Sequence, residues 1–297
     1  MDCCELDAPD VNGHTWFCVI SDRATDHIWI MLLKDKIDLW KRLEVFIQDT
    51  VQPYHKKRNR DLLETATTNT TIDTNGLRKV TVSLAGLQKV RTDCGTEFIN
   101  SGMKTMLAKY GATLDPTAPY KKDGRAEAAI KKLVTSTRTC MIESNLRKCF
   151  WGPILLMVSH TLNKTSYVKR LKMTPHQALT GKIPDVSYFR QPGCLATCHI
   201  MDKYRRKLDN TASLGILVGY GHVVRCWKFY KPATGKIVRT IHARFYENPR
   251  HPEEHIDMSS CLLQPPQYDK DRKPSSWYCQ LWPKILWPGT AVERLNP

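Results

Sequence analysis

What this chain lacks narrows the field first. No apolar run approaches the ~18 residues of a membrane-spanning helix, and no secretory signal opens the sequence. The 11 cysteines are an odd number and none form a CxxC pair. That pattern excludes a disulfide framework and reads as reduced thiols of an intracellular protein. "CLATCH" (residues 194–199) has the residue types of a metal clip but no second ligand pair at zinc spacing. No internal repeat is visible, which excludes solenoids and propellers. Acid is also short: 29 Asp and Glu face 45 Lys and Arg, a net charge of +16. Such an excess favours polyanions, nucleic acid above all, although a merely basic soluble protein has the same total.

What is present is a real core. Hydrophobic residues make up 41% of 297 residues, enough for two domains and a tail. Residues 15–22 and 27–34 are rich in β-branched and aromatic residues around a polar connector, the pattern of a hairpin. Ile37, Trp40, Leu43, Phe46 and Ile47 then fall at helical spacing. Residues 52–84 are basic, then polar and Thr-rich, and read as an inserted surface loop. A strand ending on Asp93 follows. The next helix carries Ile99, Met103, Met106, Leu107 and Tyr110 on one face and stops at Gly111. After a short strand and a Pro-rich loop, a long helix runs from Arg125 to about Ser144, and a mostly apolar helix comes next. From about residue 190 to 248 the texture becomes short strands, a small all-β module. The tail, 249–297, is rich in Pro and Trp without a period. The order of elements predicts an α/β fold, a mixed sheet flanked by helices, followed by the β module.

Two acids stand where acids are costly. In "VRTDCGTEF" (residues 90–98) Asp93 closes a hydrophobic strand beside a glycine turn, and buried strands avoid charge unless it is paired or holds a metal. Glu127 shares a helical stripe with Ile130, Val134 and Met141. It also sits in the first turn of its helix, where the dipole favours an acid whatever its function. The functional reading has Glu127 reaching toward Asp93 to share a divalent cation, and carboxylates suit Mg²⁺ or Mn²⁺. Glu97 reads as a helix-start cap.

At these residues the chain resembles a known family. "RTDCGTEF" is similar to the "DNGGEF" signature of Ty1/copia-type retrotransposon integrases, and "APYKKDGRAEAAIKKL" to their "APYTPQQNGVAER" segment. "TPHQALTGKIPD" resembles the close of their core, "KLDNTASLGILVGY" and "ARFYE" the SH3-like module of their Pol polyproteins, and the opening "MDCC" their "MDVCGPM" start. The resemblance implies an RNase H-like catalytic core over residues 1–170 and an SH3-like domain over 190–248. It implies a metal-binding triad of Asp2, Asp93 and Glu127, with Mg²⁺ or Mn²⁺ as cofactor. Asp22 competes with Asp2 for the first place. The implied activity is DNA integration, the strand transfer of element ends into target DNA. Lys121, Lys122, Arg125, Lys131 and Lys132 would lie along the DNA backbone; the plainer reading of each is a solvated helix face. DNA is the implied partner, a homo-oligomer is compatible, no membrane is involved, and the expected location is a nucleus or a cytoplasmic particle.

The chain also departs from the family. Asp93 and Glu127 have 33 residues between them, about two fewer than the family pattern, and Ala128 stands where an Arg normally follows the Glu. The chain begins one residue before Asp2, and the zinc-binding His/Cys module, the protease and the reverse transcriptase are not visible. The expectation is a truncated copy, with catalytic loss as the competing outcome: a nucleic-acid-binding remnant. A third reading is a protein-interaction module anchored by Trp277, Trp282 and Trp287.

Overall fold

The structure is a computed structural model that describes residues 1–37, 39–53, 87–93, 95, 97–117, 124–201, 205–221 and 226–247. The loop expected at 52–84 falls almost wholly outside these residues, as do Lys121, Lys122 and the tail tryptophans. Two compact units emerge, Met1–Ser136 with Val158–Pro184, and Thr137–Met157 with Asp185–Pro297. No described helix is long and apolar enough to cross a membrane.

The first unit opens with an antiparallel sheet of β1 (Asp2–Glu5), β2 (Trp16–Ser21) and β3 (Ile28–Leu33), in that order. Asp22 sets the β2–β3 turn: its carboxylate accepts from Ala24 N, Thr25 N and Thr25 Oγ1. Helix α1 (Leu39–Phe46) continues as a π-helical turn to Val51. Strands β4 (Lys89–Thr92) and β5 (Thr113–Pro116) pair in parallel on either side of helix α2 (Ser101–Lys109). The Met1 nitrogen donates to the Arg91 carbonyl at 2.7 Å. That bond brings the start of β1 to β4, while β1-β2-β3 and β4-β5 remain two separate sheets. Cys18, Leu33, Leu39, Leu43, Ile47, Val90, Phe98, Met103 and Leu107 form one core cluster, with alternate strand residues facing it. Ile37, expected in the α1 stripe, is 80% exposed and precedes the helix. Ile99, expected on the α2 face, also precedes its helix and is 39% exposed.

Helix α3 (Gly124–Glu143) spans the range expected for the long helix. Its buried positions are Ala126, Leu133 and Thr137, one residue round from the expected stripe, which leaves Glu127 exposed at its margin. Helix α4 (Trp151–Thr165) secures the sheet's outer edge. Asn163 Oδ1 accepts from Ile28 N at 2.9 Å and its Nδ2 donates to Ile28 O at 2.7 Å. A short helix α5 (Pro175–Thr180) starts on Thr174, whose side chain accepts from Gln177 N, and ends at Gly181 with φ +70°.

The second unit carries β6 (Leu195–His199), β7 (Ala212–Tyr220), β8 (Trp227–Lys231), β9 (Lys236–Thr240) and β10 (Ala243–Tyr246), in sheet order β10-β6-β7-β8-β9. "KIVRTIHARFYE", continuous in its β character, breaks at Ile241 and His242 into the two edge strands. In a flat sheet four spacings of ~4.8 Å would separate those edges by ~19 Å. Three Cα steps from Thr240 to Ala243 reach at most ~11 Å. The sheet must therefore curl strongly, toward a small open barrel that brings the end of β9 near the start of β10. Ala196, Cys198, Ile216, Leu217 and Phe229 are buried in it. Phe150 meets Tyr230 edge-on, ring centroids 4.8 Å apart.

Candidate functional site

The Met1–Arg91 bond puts the start of β1 beside the end of β4. Asp2 heads β1 and is half-buried; Asp93 is the first residue beyond β4 and is exposed. Burial is the first cause holding the Asp2 carboxyl above its ordinary range, and the charge of Asp93 is the next. The charge of Glu127 adds a smaller push, and a backbone hydrogen bond at Cys3 opposes them. Two acids, at positions 93 and 127, thus act on the carboxyl of a third at position 2, although 90 and 33 residues separate the three along the chain. Asp22, the competitor for the first place, has its carboxylate engaged within its own turn.

The donor set is carboxylate oxygen throughout, the chemistry of Mg²⁺ and Mn²⁺ sites rather than of zinc. After burial, the charges of Asp93 and Glu127 raise the Asp2 carboxyl while the Met1 ammonium opposes them, and repulsion between like charges is what a cation relieves. Among the described residues, no three His, Cys, Asp or Glu side chains converge closely enough to hold one ion as they stand. The acids are of the kind that hold such an ion, but as they stand they do not form a site for it.

Sequence reasoning missed what surrounds them. Glu97 does not cap α2; Asn100 does, its side chain accepting from Met103 N. Glu97 instead accepts from Lys36 Nζ at 2.7 Å, and that ammonium lies 4.1 Å from the Trp16 ring centroid. The two partners are 61 positions apart, beyond any local pattern. Beside them Arg91 donates twice to Asp115 Oδ2, at 3.1 and 2.8 Å, across β4 and β5.

Of the basic residues expected along DNA, Lys121 and Lys122 lie outside the described residues. Arg125 approaches Asp26 Oδ1 at 3.8 Å, Lys131 is exposed, and Lys132 donates to Ser166 Oγ at 3.0 Å. In the second unit, Lys228 stands opposite Arg239 and Lys231 opposite Lys236. Like charges facing each other across strands are destabilising. Burial first, then Arg239, pulls the Lys228 ammonium below its ordinary range. Counting outward from the "PATG" turn would have given this register. Burial pushes the Cys194 and Cys198 thiols up to about 12 and about 11, and among the described residues they belong to no group of three side chains placed to hold a metal.

Residues 194–259 match the retroviral polymerase SH3-like domain. Over 248 residues the chain is 24% identical to the retrovirus-related Pol polyprotein from transposon TNT 1-94 of Nicotiana tabacum, covering 83% of this chain and 16% of that protein. The chain is thus similar to a piece of a retrotransposon Pol polyprotein, and it spans less than a fifth of its relative's length.

Proposed function

We propose that this chain is the integrase segment of a copia-type retrotransposon polyprotein, a metal-dependent DNA strand transferase with an RNase H-like core. The observation that supports this reading is that the charges of Asp93 and Glu127 both reach Asp2, far away in the sequence. The likeness to a retrotransposon Pol polyprotein over 83% of the chain agrees with it.

In this reading Asp2, Asp93 and Glu127 would hold Mg²⁺ or Mn²⁺. When bound, the metal would supply Lewis acidity and charge neutralisation for phosphoryl transfer. The acids would give it fixed oxygen donors from the end of one strand, the start of another and the first turn of α3. Lys121, Lys122, Arg125, Lys131 and Lys132 would contribute sequence-independent phosphate contacts, whose affinity falls steeply with salt. The unrelieved pairs Lys228–Arg239 and Lys231–Lys236 are suited to the same partner.

A strand-transfer assay tests the proposal. A labelled duplex mimicking an element end is incubated with the protein and Mn²⁺ or Mg²⁺, beside Asp93→Asn and Glu127→Gln. Joined product that vanishes in both variants is the expected result. The acids do not converge on one point among the described residues, and that favours a second reading, a nucleic-acid-binding remnant. Salt-sensitive DNA binding without product would establish it.

A further inference from the structure

We propose that Cys3 and Cys18 are a redox modification site: a hydroperoxide oxidises the pair to a reversible disulfide that ties β1 to β2. The two residues stand directly opposite each other in the antiparallel ladder. Both are free thiols, and both turn to the same side of the sheet: Cys18 belongs to the core cluster of the first unit and Cys3 packs against it. A hydrogen bond already joins the two thiols. Opposed residues of an antiparallel pair have Cα atoms ~4.5 or ~5.5 Å apart, and a disulfide accepts Cα separations of ~4.4–6.8 Å. Either kind of pair therefore fits. No other two cysteines face each other across the described ladders: Cys198 stands opposite Ser213 and Ala243, and Cys18 has Met31 on its far side.

The pairing depends on register, since a slip of one residue would turn Cys3 to the opposite face. Both ends of β1 are fastened. Met1 N donates to Arg91 O at 2.7 Å, and just past the strand Leu6 N donates to Thr15 O at 2.9 Å. Asp10, 5% exposed, organises the connection to β2: its Oδ1 accepts from Asn12 N at 2.8 Å and His14 N at 2.9 Å. Cys4 is the contrast. It stands opposite Phe17 on the other face, and its thiol donates to Glu5 O at 3.5 Å.

Exposure divides the roles. Cys18 is fully buried, whereas Cys3 is partly exposed and meets an oxidant first. The Cys3 sulfur attacks a peroxide oxygen and the O–O bond breaks. Cys3 becomes a sulfenic acid, and its thiol proton leaves with the alcohol or water released. The Cys18 sulfur then attacks the Cys3 sulfur, the S–O bond breaks, and hydroxide departs as water with the Cys18 proton. In sum the two thiols lose two electrons and the peroxide gains them. Opposed Cβ atoms lie ~4.5–5.5 Å apart against the ~3.5–4.5 Å a disulfide prefers, so the bond forms under strain. Strained disulfides are the more easily reduced, and a thiol reductant restores the pair. Once formed, the bond pins β1 at the residue beside Asp2.

The test is peptide mapping of the full chain, first reduced, then exposed to hydrogen peroxide, alkylated with N-ethylmaleimide and cut with trypsin in the absence of reductant. Residues 1–23 hold Cys3, Cys4 and Cys18 and no internal Lys or Arg, so they emerge as one peptide. The expected result is that peptide lighter by two hydrogens and carrying a single maleimide, with three maleimides when dithiothreitol precedes alkylation. The bond should vanish in Cys3→Ser and persist in Cys4→Ser. Three maleimides after peroxide, or Cys3 carried on to sulfinic acid with Cys18 still free, would overturn the proposal. So would a bond that survives in Cys3→Ser, which would make Cys4 the partner. Cys18→Ser should lose the bond as well; if that buried substitution prevents folding, the two β1 variants carry the comparison.

Discussion

Replacing Asp2 by asparagine should make the metal-free protein more stable. Asp2 is half-buried among like charges, and its carboxyl is raised by burial, by Asp93 and, less, by Glu127. The folded state therefore binds a proton at Asp2 more readily than the unfolded chain does. Ionised Asp2 subtracts stability at neutral pH, and the subtraction fades as pH falls through the raised value. A partly exposed charge interaction of this kind is worth about 0.5–1 kcal/mol. For a unit of this size that is a rise in Tm of ~1–4 °C, larger at low salt and smaller at high salt.

A divalent cation reverses the order. At 100 times its Kd a ligand stabilises the folded state by ~2.7 kcal/mol, and Asp2→Asn should forfeit most of that gain. Differential scanning fluorimetry at neutral pH, with and without saturating Mn²⁺, should show the two curves cross. The variant melts higher without the ion and lower with it. A variant less stable than the parent in ion-free, low-salt buffer would refute the reasoning, because it would mean that Asp2 holds the fold together and is no strained ligand. So would an equal response of both proteins to Mn²⁺.

Three further outcomes follow from the packing. Asn163→Ala removes both bonds to the Ile28 backbone and orphans its N–H. A urea titration should show a loss of about 1–3 kcal/mol, limited because Ser159 Oγ still reaches the Ile28 carbonyl at 3.3 Å. Gly215→Ala drives a methyl to 2.9 Å from Phe229 Cβ and 3.2 Å from Cys198 Sγ inside the barrel; overpacking of that kind costs about 1–3 kcal/mol, read as a lower denaturation midpoint of the second unit. His27 is buried, and burial first and His176 next push its imidazole down to about 3. The folded state keeps His27 neutral, so its contribution is present above the ordinary value near ~6.5 and is lost as pH falls toward about 3. Urea midpoints measured across that window should decline less steeply in His27→Phe.

Much of the fold was legible because its signals are local. Alternation and β-branched residues marked β2 and β3, and Gly111, with φ +68°, ends α2 where the sequence placed its stop. The 20-residue α3 opens on mostly good helix formers from Arg125 to Leu133 and continues through a Thr-rich stretch of lower propensity. The misreadings share one physical origin. Ile37 and Ile99 are apolar at helical spacing, but each lies outside its helix and the core could not reach it. The last β stretch was continuous in propensity, and only the curling of the sheet decided that it must bend at Ile241 and His242. Burial on α3 shifted by one residue for a similar reason: Ile130 and Val134 are only half-buried, and the closest packing falls on Ala126 and Leu133.

The candidate site was legible only where charge contradicts local pattern. Asp93 closing a strand and Glu127 opening a helix announced themselves as acids in costly places. Glu97 announced itself equally and was misassigned, since an acid four residues before a helix looks like a cap whatever it touches. Its partner, Lys36, sits in a "KDK" run indistinguishable from solvated charge. Paired across 61 positions, each explains the other: the lysine is kept from solvent by Trp16, and the glutamate is kept from the cation by the lysine. The Lys36 ammonium pairs Glu97, whereas Asp2 is raised by burial first and by the charge of Asp93 next, a distinction that residue type and spacing alone could not draw.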